Sequence, residues 1–542
     1  MKNGFRQSMA WLHTYSGLLV GWVLFLVFSA GTAAYFRSEI SLWMQPELHR
    51  AALPVPSAAT QPEAAQRAAR WLSEHAAGSP RWFIGLPSER DRTLRVMWRL
   101  LPGQAGAQPR RRLGEAVLDP ATGQALTGVR ATRGGEFFYR LHFDLHYMPA
   151  LWARWIVGFC AVAMLVAIVS GIVTHRRIFK DFFTFRPRKG QRSWLDAHNV
   201  SAVVALPYHL MITYTGLLTL VLMYMPWAPQ TAYRNHGGPT AFLAEALGET
   251  EPVAASGQPA PLADLAAPVA LAQRRWPGTL VEHITVDHPG DAQARITVTR
   301  EVGAEMRLMP PSLRFSGVSG APEAVAGEEP SAPVLAYDVA TGLHTGRFAG
   351  PLVRALLFLS GLAGCAMVAT GLLLWAVKER PAHLKARQRG ERGSAALRLV
   401  DGLNLAGVAG LLVAMAAFFW INRLLPVATA QRAQTEIDLF FVVWGGCALL
   451  GLAHPTRRMW RAQVLAAGTL LALVPLLNAA TGGAHWGVSL PARLWAVAGL
   501  DAVCLLLGLA LLAAARWLKP LRPAVPVKPL TVGRPIAPGL AP

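Results

Sequence analysis

Long apolar runs alternate with polar segments along most of the chain. A run of about 18 or more apolar residues is long enough to cross a bilayer as a helix. Eight segments reach or approach that length: residues 13–36, 151–175, 198–226, 351–377, 402–421, 438–454, 463–481 and 493–515. Asp501 interrupts the eighth run, which is therefore the weakest of the set. The pattern predicts a mainly α-helical integral membrane protein with about eight transmembrane helices.

Two long polar segments separate the first four apolar runs, and both are rich in Pro and Gly. Residues 37–150 contain a helical stretch at 62–76 and strand-like runs at 81–86, 93–100 and 116–119. Residues 227–350 contain a helical stretch at 262–276, strand-like runs at 281–286 and 294–300, and linker-like residues 316–333. Alternating apolar residues bounded by turn residues predict strands. We therefore expect two small α+β domains outside the membrane.

The composition agrees with a membrane protein. The 542 residues are 53% hydrophobic and 15% charged, whereas a soluble domain is about 25% charged. This excludes one large soluble enzyme and excludes a disordered chain. The four cysteines lie in apolar runs without a CxxC spacing, so we interpret them as buried apolar residues rather than metal ligands or disulfides.

The charge distribution orients the helices. Lys and Arg number 52 and Asp and Glu 31, so the formal net charge is 52 − 31 = +21. Basic residues concentrate in the loops at 176–192, 378–398, 457–461 and 516–522. All these loops fall on one side if both termini are cytoplasmic, as the positive-inside rule requires. Because the charge is spread over loops beside membrane helices, nucleic-acid binding is not expected.

These boundaries give a domain organisation for the whole chain. The predicted order is TM1 at 1–36, a first periplasmic domain at 37–150, TM2 and TM3 with a basic cytoplasmic loop at 151–226, a second periplasmic domain at 227–350, TM4 at 351–377, a basic cytoplasmic loop at 378–401, accessory TM5–TM8 at 402–515 and a Pro-rich cytoplasmic tail at 516–542. The first run is too long for a signal-peptide core and is interpreted as a retained anchor.

The first four spans look like two copies of one unit. The matched spacings are His13 to Gly31 and His198 to Gly216, each 18 residues, and Arg154 to Gly171 and Arg354 to Gly371, each 17 residues. Both copies enter from the same side, which indicates a parallel repeat about an axis along the membrane normal. We therefore expect a duplicated four-helix core.

Seven histidines lie inside spans or at their ends, where an unpaired polar group is costly. His13, His175 and His198 lie at the cytoplasmic edge, His142, His146 and His344 at the outer edge, and His209 near the middle of its span. Two imidazoles from different helices can hold a haem iron between them. Zinc is the alternative metal, but few Cys or carboxylate residues accompany these histidines, which favours haem.

The repeat suggests how the histidines pair. His13 and His198 are equivalent and form the predicted cytoplasmic pair, while His142 or His146 faces His344 near the outer surface. His175 and His209 have no repeat partners, although either can replace an assigned ligand. Eleven residues separate His198 from His209, so one continuous helix would project both from one face about 16 Å apart.

Several short motifs around these histidines resemble the PepSY-associated transmembrane family, which includes iron-regulated membrane proteins and siderophore reductases. The motifs lie at residues 11–18, 31–32, 36–39, 119–123, 141–146, 170–175, 196–199 and 343–346. The resemblance covers about residues 1–380. It implies two periplasmic PepSY-like domains, b-type haem and a link to ferric-siderophore reduction. Residues 400–515 depart from this four-span pattern and form an accessory bundle.

The functional prediction is a bacterial inner-membrane, haem-dependent oxidoreductase with two haems b per chain. It would pass electrons to a periplasmic acceptor, a ferric siderophore or similar iron chelate. Neither a GxGxxG fingerprint nor a P-loop occurs, so the donor is expected to be a quinol, a separate flavoprotein or a soluble carrier. The sequence does not fix the oligomeric state.

Two other functions remain open at this point. One is a membrane-anchored PepSY module that binds or inhibits a periplasmic protein, which leaves the histidine placement unexplained. The other is an iron-chelate or haem transporter. The first four spans lack the broken-helix signature of a midplane substrate site, although Pro207 and Pro226 in the third span leave room for one.

Overall fold

A computed structural model of the protein describes residues 2–50, 53, 55–101, 113–175, 184–187, 189–238, 241–242 and 254–518. The loop residues Arg176, Arg177, Lys180 and Arg188 and the tail beyond residue 518 lie outside the described residues. The described part is mainly helical, with one β-sheet.

The helices divide into two repeat copies and an accessory bundle. The first copy contains α1 (Lys2–Ala34), α2 (Arg37–Trp43), α3 (Pro46–Arg50), α4 (Gln61–His75), α5 (Gly134–Asp144) and α6 (Ala150–Thr174). The second contains α7 (Gln191–Val204), α8 (Leu206–Thr219), α9 (Val221–Tyr224), α10 (Trp227–Ala232), α11 (Ala266–Arg275), α12 (Ala332–Thr345) and α13 (Pro351–Gln388). The accessory bundle contains α14 (Ala395–Asn404), a π-helical turn (Leu405–Gly410), α15 (Leu411–Leu424), α16 (Arg432–Ala453), α17 (Arg457–Ala472), α18 (Val474–Ala480), α19 (Trp486–Ser489) and α20 (Trp495–Trp517).

The helix lengths and hydropathy confirm a multi-pass membrane protein. Six helical segments of the described chain are long and apolar enough to cross a bilayer, and eight spans result if each of two bent pairs counts as one. The six are α1, α6, α13, the run from α14 to α15, α16 and α20. The bent pairs are α7 with α8 and α17 with α18. The eight predicted segments correspond to these eight units.

Both bent pairs break just before a proline. The angle is 68° between α7 and α8 and 45° between α17 and α18. Pro207 and Pro475 each occupy the second residue of the following helix, and proline removes one backbone donor and clashes with the preceding turn. His198 and His209 therefore lie on different helices, so the expectation that one helix face presents both is wrong. The expected absence of a broken helix in the first four spans is also wrong.

The two polar segments build one sheet rather than two separate domains. Its strands are β1 (Arg81–Gly85), β2 (Leu94–Arg99), β3 (Leu113–Leu118), β4 (Val281–Asp287), β5 (Arg295–Arg300), β6 (Ser312–Ser316) and β7 (Pro322–Ala326). Their order is β3-β2-β1-β4-β5-β6-β7, and every neighbouring pair is antiparallel. The pairing of β1 with β4 joins the segments, so that neither β1 nor β4 is left as an open edge.

The sheet has its own apolar core beneath α4 and α11. Alternating residues such as Trp82, Ile84, Ile284 and Val286 are buried there. The predicted helical and strand-like stretches at the sheet are confirmed. The predicted linker at 316–333 is wrong, because β7 forms within it as an edge strand of mostly small residues.

A second core fills the membrane bundle around α1. Val20, Leu24 and Phe28 of α1 are buried in it together with accessory residues such as Phe418 and Val497. α1 packs against α5, α6 and α13. Below, the end of the bundle that carries the sheet is called the sheet side and the opposite end the far side.

Candidate haem-ligand site

Four of the seven candidate histidines form two facing pairs. The rings of His13 and His198 have centroids 6.0 Å apart and planes at 68°. The rings of His142 and His344 also have centroids 6.0 Å apart, with planes at 38°. We call these the far-side pair and the sheet-side pair. Each pair takes one histidine from each repeat copy.

Every one of these four imidazoles is anchored through Nδ1 to a backbone carbonyl. His13 donates to Ala167 O at 2.8 Å and His198 to Met367 O at 2.9 Å. His142 donates to Val27 O at 2.7 Å and His344 to Ile212 O at 3.1 Å. A carbonyl oxygen only accepts, so the proton lies on Nδ1 and Nε2 keeps its lone pair. This is the tautomer in which a histidine binds a metal through Nε2.

The repeat glycines explain why the rings fit. A Cβ placed on Gly31 would lie 2.6 Å from Nδ1 of His142, and one on Gly216 would lie 2.9 Å from Cε1 of His344. Gly171 and Gly371 contact His13 and His198 in the same manner, with a Cβ 3.1 Å from Cε1 in each case.

The glycine and the carbonyl share one local arrangement at all four sites. Each acceptor residue precedes its glycine by four positions, as in Val27 and Gly31, so both lie one helical turn apart on the same face. The missing side chain lets the imidazole lie against the helix and reach the carbonyl.

The sheet-side pair lines a cavity of about 460 Å³. Ligand pockets of about 300–1,000 Å³ hold small molecules and cofactors. Gly31 and Gly216 form part of its wall, as do apolar residues such as Phe28 and Met164. Tyr35 and Tyr208 also line it, with their hydroxyl oxygens 3.1 Å apart.

The charged side chains that line this cavity are all basic. Arg37, Arg90, Arg140, Arg154 and Arg347 contribute to the wall, and none of the described lining residues is Asp or Glu. Carboxylates form ion pairs with these arginines: Glu39 pairs with Arg90 at 2.7 Å and Asp144 pairs with Arg154 at 2.9 Å. All five arginines form ion pairs with carboxylates, and these pairs fix the guanidinium groups at the cavity wall.

Burial keeps the sheet-side histidines neutral. Desolvation lowers the pKa of His142, and desolvation together with the nearby His142 lowers the pKa of His344 to about 3. Both rings therefore present a free lone pair at neutral pH.

The other three candidate histidines do not belong to either facing pair. His146 stacks on Phe441 of α16, with ring centroids 5.4 Å apart, so His142 rather than His146 faces His344. His175 directly follows α6, and its backbone N–H donates to Gly171 O at 3.0 Å. His209 is buried edge-on against Phe28, with ring centroids 6.0 Å apart.

Sequence reasoning did not find the carbonyl acceptors or the cavity arginines. A backbone carbonyl leaves no sequence signal except its position four residues before a repeat glycine. Arg37 lies within a quoted motif and Arg154 within the repeat, whereas Arg90 and Arg347 come from the two polar segments and carried no signal of their own.

The comparison with known proteins places the chain in a family. The sequence matches the PepSY-associated TM region over residues 10–378, more than half of its length. The chain belongs to this family. The matched region contains both histidine pairs and all four repeat glycines, and it ends before the accessory bundle begins.

The chain is also similar to a bacterial protein whose length is comparable to that of the matched part. An uncharacterized protein of Pseudomonas aeruginosa is 28% identical over 396 residues, a match that covers 70% of this chain and 94% of the relative.

Proposed function

We propose that the protein is a b-type haem protein with two haems, one between His13 and His198 and one between His142 and His344. The observation that supports this most strongly is the repeated geometry of two facing imidazoles, each anchored through Nδ1. In each pair the ring centroids lie 6.0 Å apart, which leaves space for a metal ion that would bind one nitrogen of each ring.

The pairwise arrangement favours haem over zinc. A structural zinc ion takes four protein ligands and a catalytic one takes three. Among the described residues, no group of three or more His, Cys, Asp or Glu side chains is placed to hold a metal ion. A haem iron needs only two protein ligands, because the macrocycle supplies the other four.

The surrounding residues fit the rest of the cofactor at the sheet side. Gly31 and Gly216 let the two imidazoles lie against their helices beside a cavity of about 460 Å³, and the cavity wall is largely apolar. Arg37, Arg90 and Arg154 can bind the two acidic propionate groups of a haem. Bound haem supplies a reversible one-electron change at its iron.

The two pairs give a route for electrons from one face of the membrane to the other. His13 and Gly31 are separated by 18 residues of α1, which corresponds to about 27 Å along a helix axis. The carbonyls and glycines hold the ligating rings at fixed depths. Apolar side chains between the pairs, such as Leu24 and Phe28, exclude water from the interior of the bundle.

The orientation of the chain in the membrane follows from the charge of the loops. Basic residues beyond the far side, including Lys385 and Arg387 at the end of α13, favour a cytoplasmic location for that face. The protein would then lie in a bacterial inner membrane with both termini cytoplasmic and the sheet in the periplasm. A quinol, a flavoprotein or a soluble carrier would donate electrons to the far-side haem.

A ferric siderophore is the acceptor that we favour. Its oxygen ligands prefer the harder ferric ion, so reduction weakens the chelate and releases iron. Arginines line the cavity beside the sheet-side pair, and their positive charge would attract an anionic chelate. The chain would act as a haem-dependent ferric-siderophore reductase.

The test is the reaction of dithionite-reduced protein with a ferric siderophore. We expect the reduced haem spectrum to return to the oxidised form, and His344→Ala to slow that return because the sheet-side ligand is lost. His75→Ala, which changes an exposed histidine of α4, is the matched control and should leave the rate unchanged. A reduced protein that the chelate never reoxidises argues against the reductase.

The break between α7 and α8 supports transport of an iron chelate or haem as a second candidate. Broken helices often line substrate sites in transporters, and the 68° bend lies in the haem-ligand core. Uptake of a labelled ferric chelate into proteoliposomes without reductant would favour transport, whereas release of iron only after reduction favours the reductase. The alternative of a PepSY binding module has no comparable support, because it assigns no role to the two histidine pairs.

A further inference from the structure

The helices that carry the two sheet-side histidines are repeat equivalents with different neighbours. α12 carries His344, and in the described part of the chain its hydrogen bonds to other elements go to α8 and to residues 307–309. α5 carries His142 and packs against α1, α2 and α6, but it also meets the accessory bundle. Among the described residues, ring contacts of the accessory bundle reach α5, whereas no hydrogen bond or ring contact joins that bundle to α12.

The first contact between α5 and the accessory bundle is a cluster of aromatic rings. Phe137 lies 5.0 Å from Phe418 and 4.9 Å from Phe440, measured between ring centroids. Phe138, one turn before His142, lies 5.4 Å from Phe418. All four rings are buried, so α5 cannot shift without disturbing α15 and α16.

The second contact holds the chain just before α5. Thr132 Oγ1 donates to Glu436 Oε2 at 2.5 Å, and Arg432 Nη1 donates to Ala131 O at 2.9 Å. Arg432 and Glu436 form an ion pair that is almost fully buried. Arg130 Nη1 donates to Asn422 O at 2.9 Å. These bonds tie residues 130–132 to the ends of α15 and α16.

The third contact holds the chain just after α5. Leu145, His146 and Tyr147 have φ values of 51°, 55° and 51°, a left-handed conformation that side chains with a Cβ rarely adopt. Such residues persist when their surroundings fix them. Here the ring of His146 stacks on Phe441, and the Tyr147 hydroxyl donates to Asp438. Both partners belong to α16.

We propose that the accessory bundle is a clamp that positions His142 for haem ligation, an inference that rests on the proposed function. It fixes the start, one face and the end of α5, whereas α12, which carries His344, is hydrogen-bonded in the described part of the chain to α8 and to residues 307–309. Phe137, Phe138, Phe441 and Glu436 are positioning residues, since they act on the ligand through α5. The sheet-side haem site of this chain thus depends on the accessory bundle, which lies outside residues 10–378, the region that matches the family.

The test compares Phe441→Ala, which removes the ring beneath His146, with Leu449→Ala on the same helix. Leu449 is 71% exposed and serves as the matched control. In detergent-purified protein, amide hydrogen exchange of residues 134–144 reports on α5, and that of residues 332–345 reports on α12. We expect Phe441→Ala to speed exchange in α5 about tenfold, equivalent to a loss of ~1.4 kcal/mol of local stability. Exchange in α12 should stay unchanged.

A second readout concerns the haems themselves. The electron paramagnetic resonance signal of a bis-imidazole haem depends on the angle between the ring planes, so the two sites should give distinguishable signals. Phe441→Ala should shift or weaken the sheet-side signal and leave the far-side signal in place. Leu449→Ala should change neither.

Unchanged exchange in α5, or an equal increase in α5 and α12, would overturn the clamp. Thr132→Val provides an independent variant if Phe441→Ala does not fold, because at nearly constant volume it removes the bond to Glu436 together with the bond that Thr132 Oγ1 accepts from Gly134 N–H. If the wild-type protein binds no haem, the proposed function fails, and the exchange experiment still decides whether the accessory bundle clamps α5.

Discussion

Each histidine that we propose as a haem ligand packs against one glycine and donates a hydrogen bond to one backbone carbonyl. The repeated spacings predicted that His13 is equivalent to His198, Gly31 to Gly216 and Gly171 to Gly371. They did not predict that each glycine contacts a histidine. That contact crosses between helices, so it depends on packing that no spacing within one helix reveals. The choice between His142 and His146 also needed the structure, because the left-handed turn at 145–147 directs His146 toward α16.

The glycine contact can be tested by adding one methyl group. Gly31→Ala places a Cβ against Nδ1 of His142, so the ring must move away from Val27 O. Loss of a hydrogen bond that orients a ligating histidine, such as that from His142 Nδ1 to Val27 O, weakens metal binding about 10- to 100-fold. We therefore expect a corresponding loss of the sheet-side haem in a haem-retention assay. Gly17→Ala on the same helix is the control, because its added Cβ has no neighbouring atom within 4 Å. Equal haem retention in the two variants would contradict the role given to Gly31.

At the scale of elements, the apolar runs predicted the spans because length and hydropathy are local properties. The break at Ala205 was missed because a proline inside a long apolar run is compatible with either a kink or an end. β7 was missed because its small residues show no alternation. Asp501, which weakened the eighth span in the sequence, is buried in α20 and accepts bonds from Trp43 Nε1 at 2.7 Å and Asn478 Nδ2 at 2.9 Å. Its partners come from other helices, so its own span gives no hint of them.

The attachment of α16 to the chain before α5 predicts a large effect on stability. Arg432→Met leaves the buried Glu436 without its cation, and breaking a buried ion pair costs about 3–5 kcal/mol. We expect a lower melting temperature in detergent, with partial recovery in Arg432→Met/Glu436→Met because both charges are then absent. Arg458→Met, at an exposed position of α17, is the control. A double variant less stable than the single one would contradict this explanation.

At the scale of the whole molecule, the sheet links the two repeat copies above the membrane. The sequence suggested two domains, since each polar segment has its own helix and strands. The pairing of β1 with β4 is a contact between residues about 200 positions apart in the chain. Only a three-dimensional arrangement shows it.

This shared sheet can be tested by cross-linking. Phe83 and Thr285 are paired across β1 and β4, so Phe83→Cys with Thr285→Cys should form a disulfide and change gel mobility until it is reduced. Met97 pairs with Phe83 on the other side of β1. Met97→Cys with Thr285→Cys is therefore the control, because two strand spacings of about 4.8 Å separate its cysteines. Equal cross-linking in both proteins would contradict the strand order.

The central claim is that two pairs of histidines hold two haems across the membrane. The most direct measurement is haem quantitation per chain in the detergent-purified protein, with optical spectra of the oxidised and reduced forms. We predict two b-type haems per chain, each lost selectively when one member of its histidine pair is replaced by Ala. A chain that purifies without haem, or that keeps both haems after His13→Ala and His142→Ala are combined, would contradict the claim.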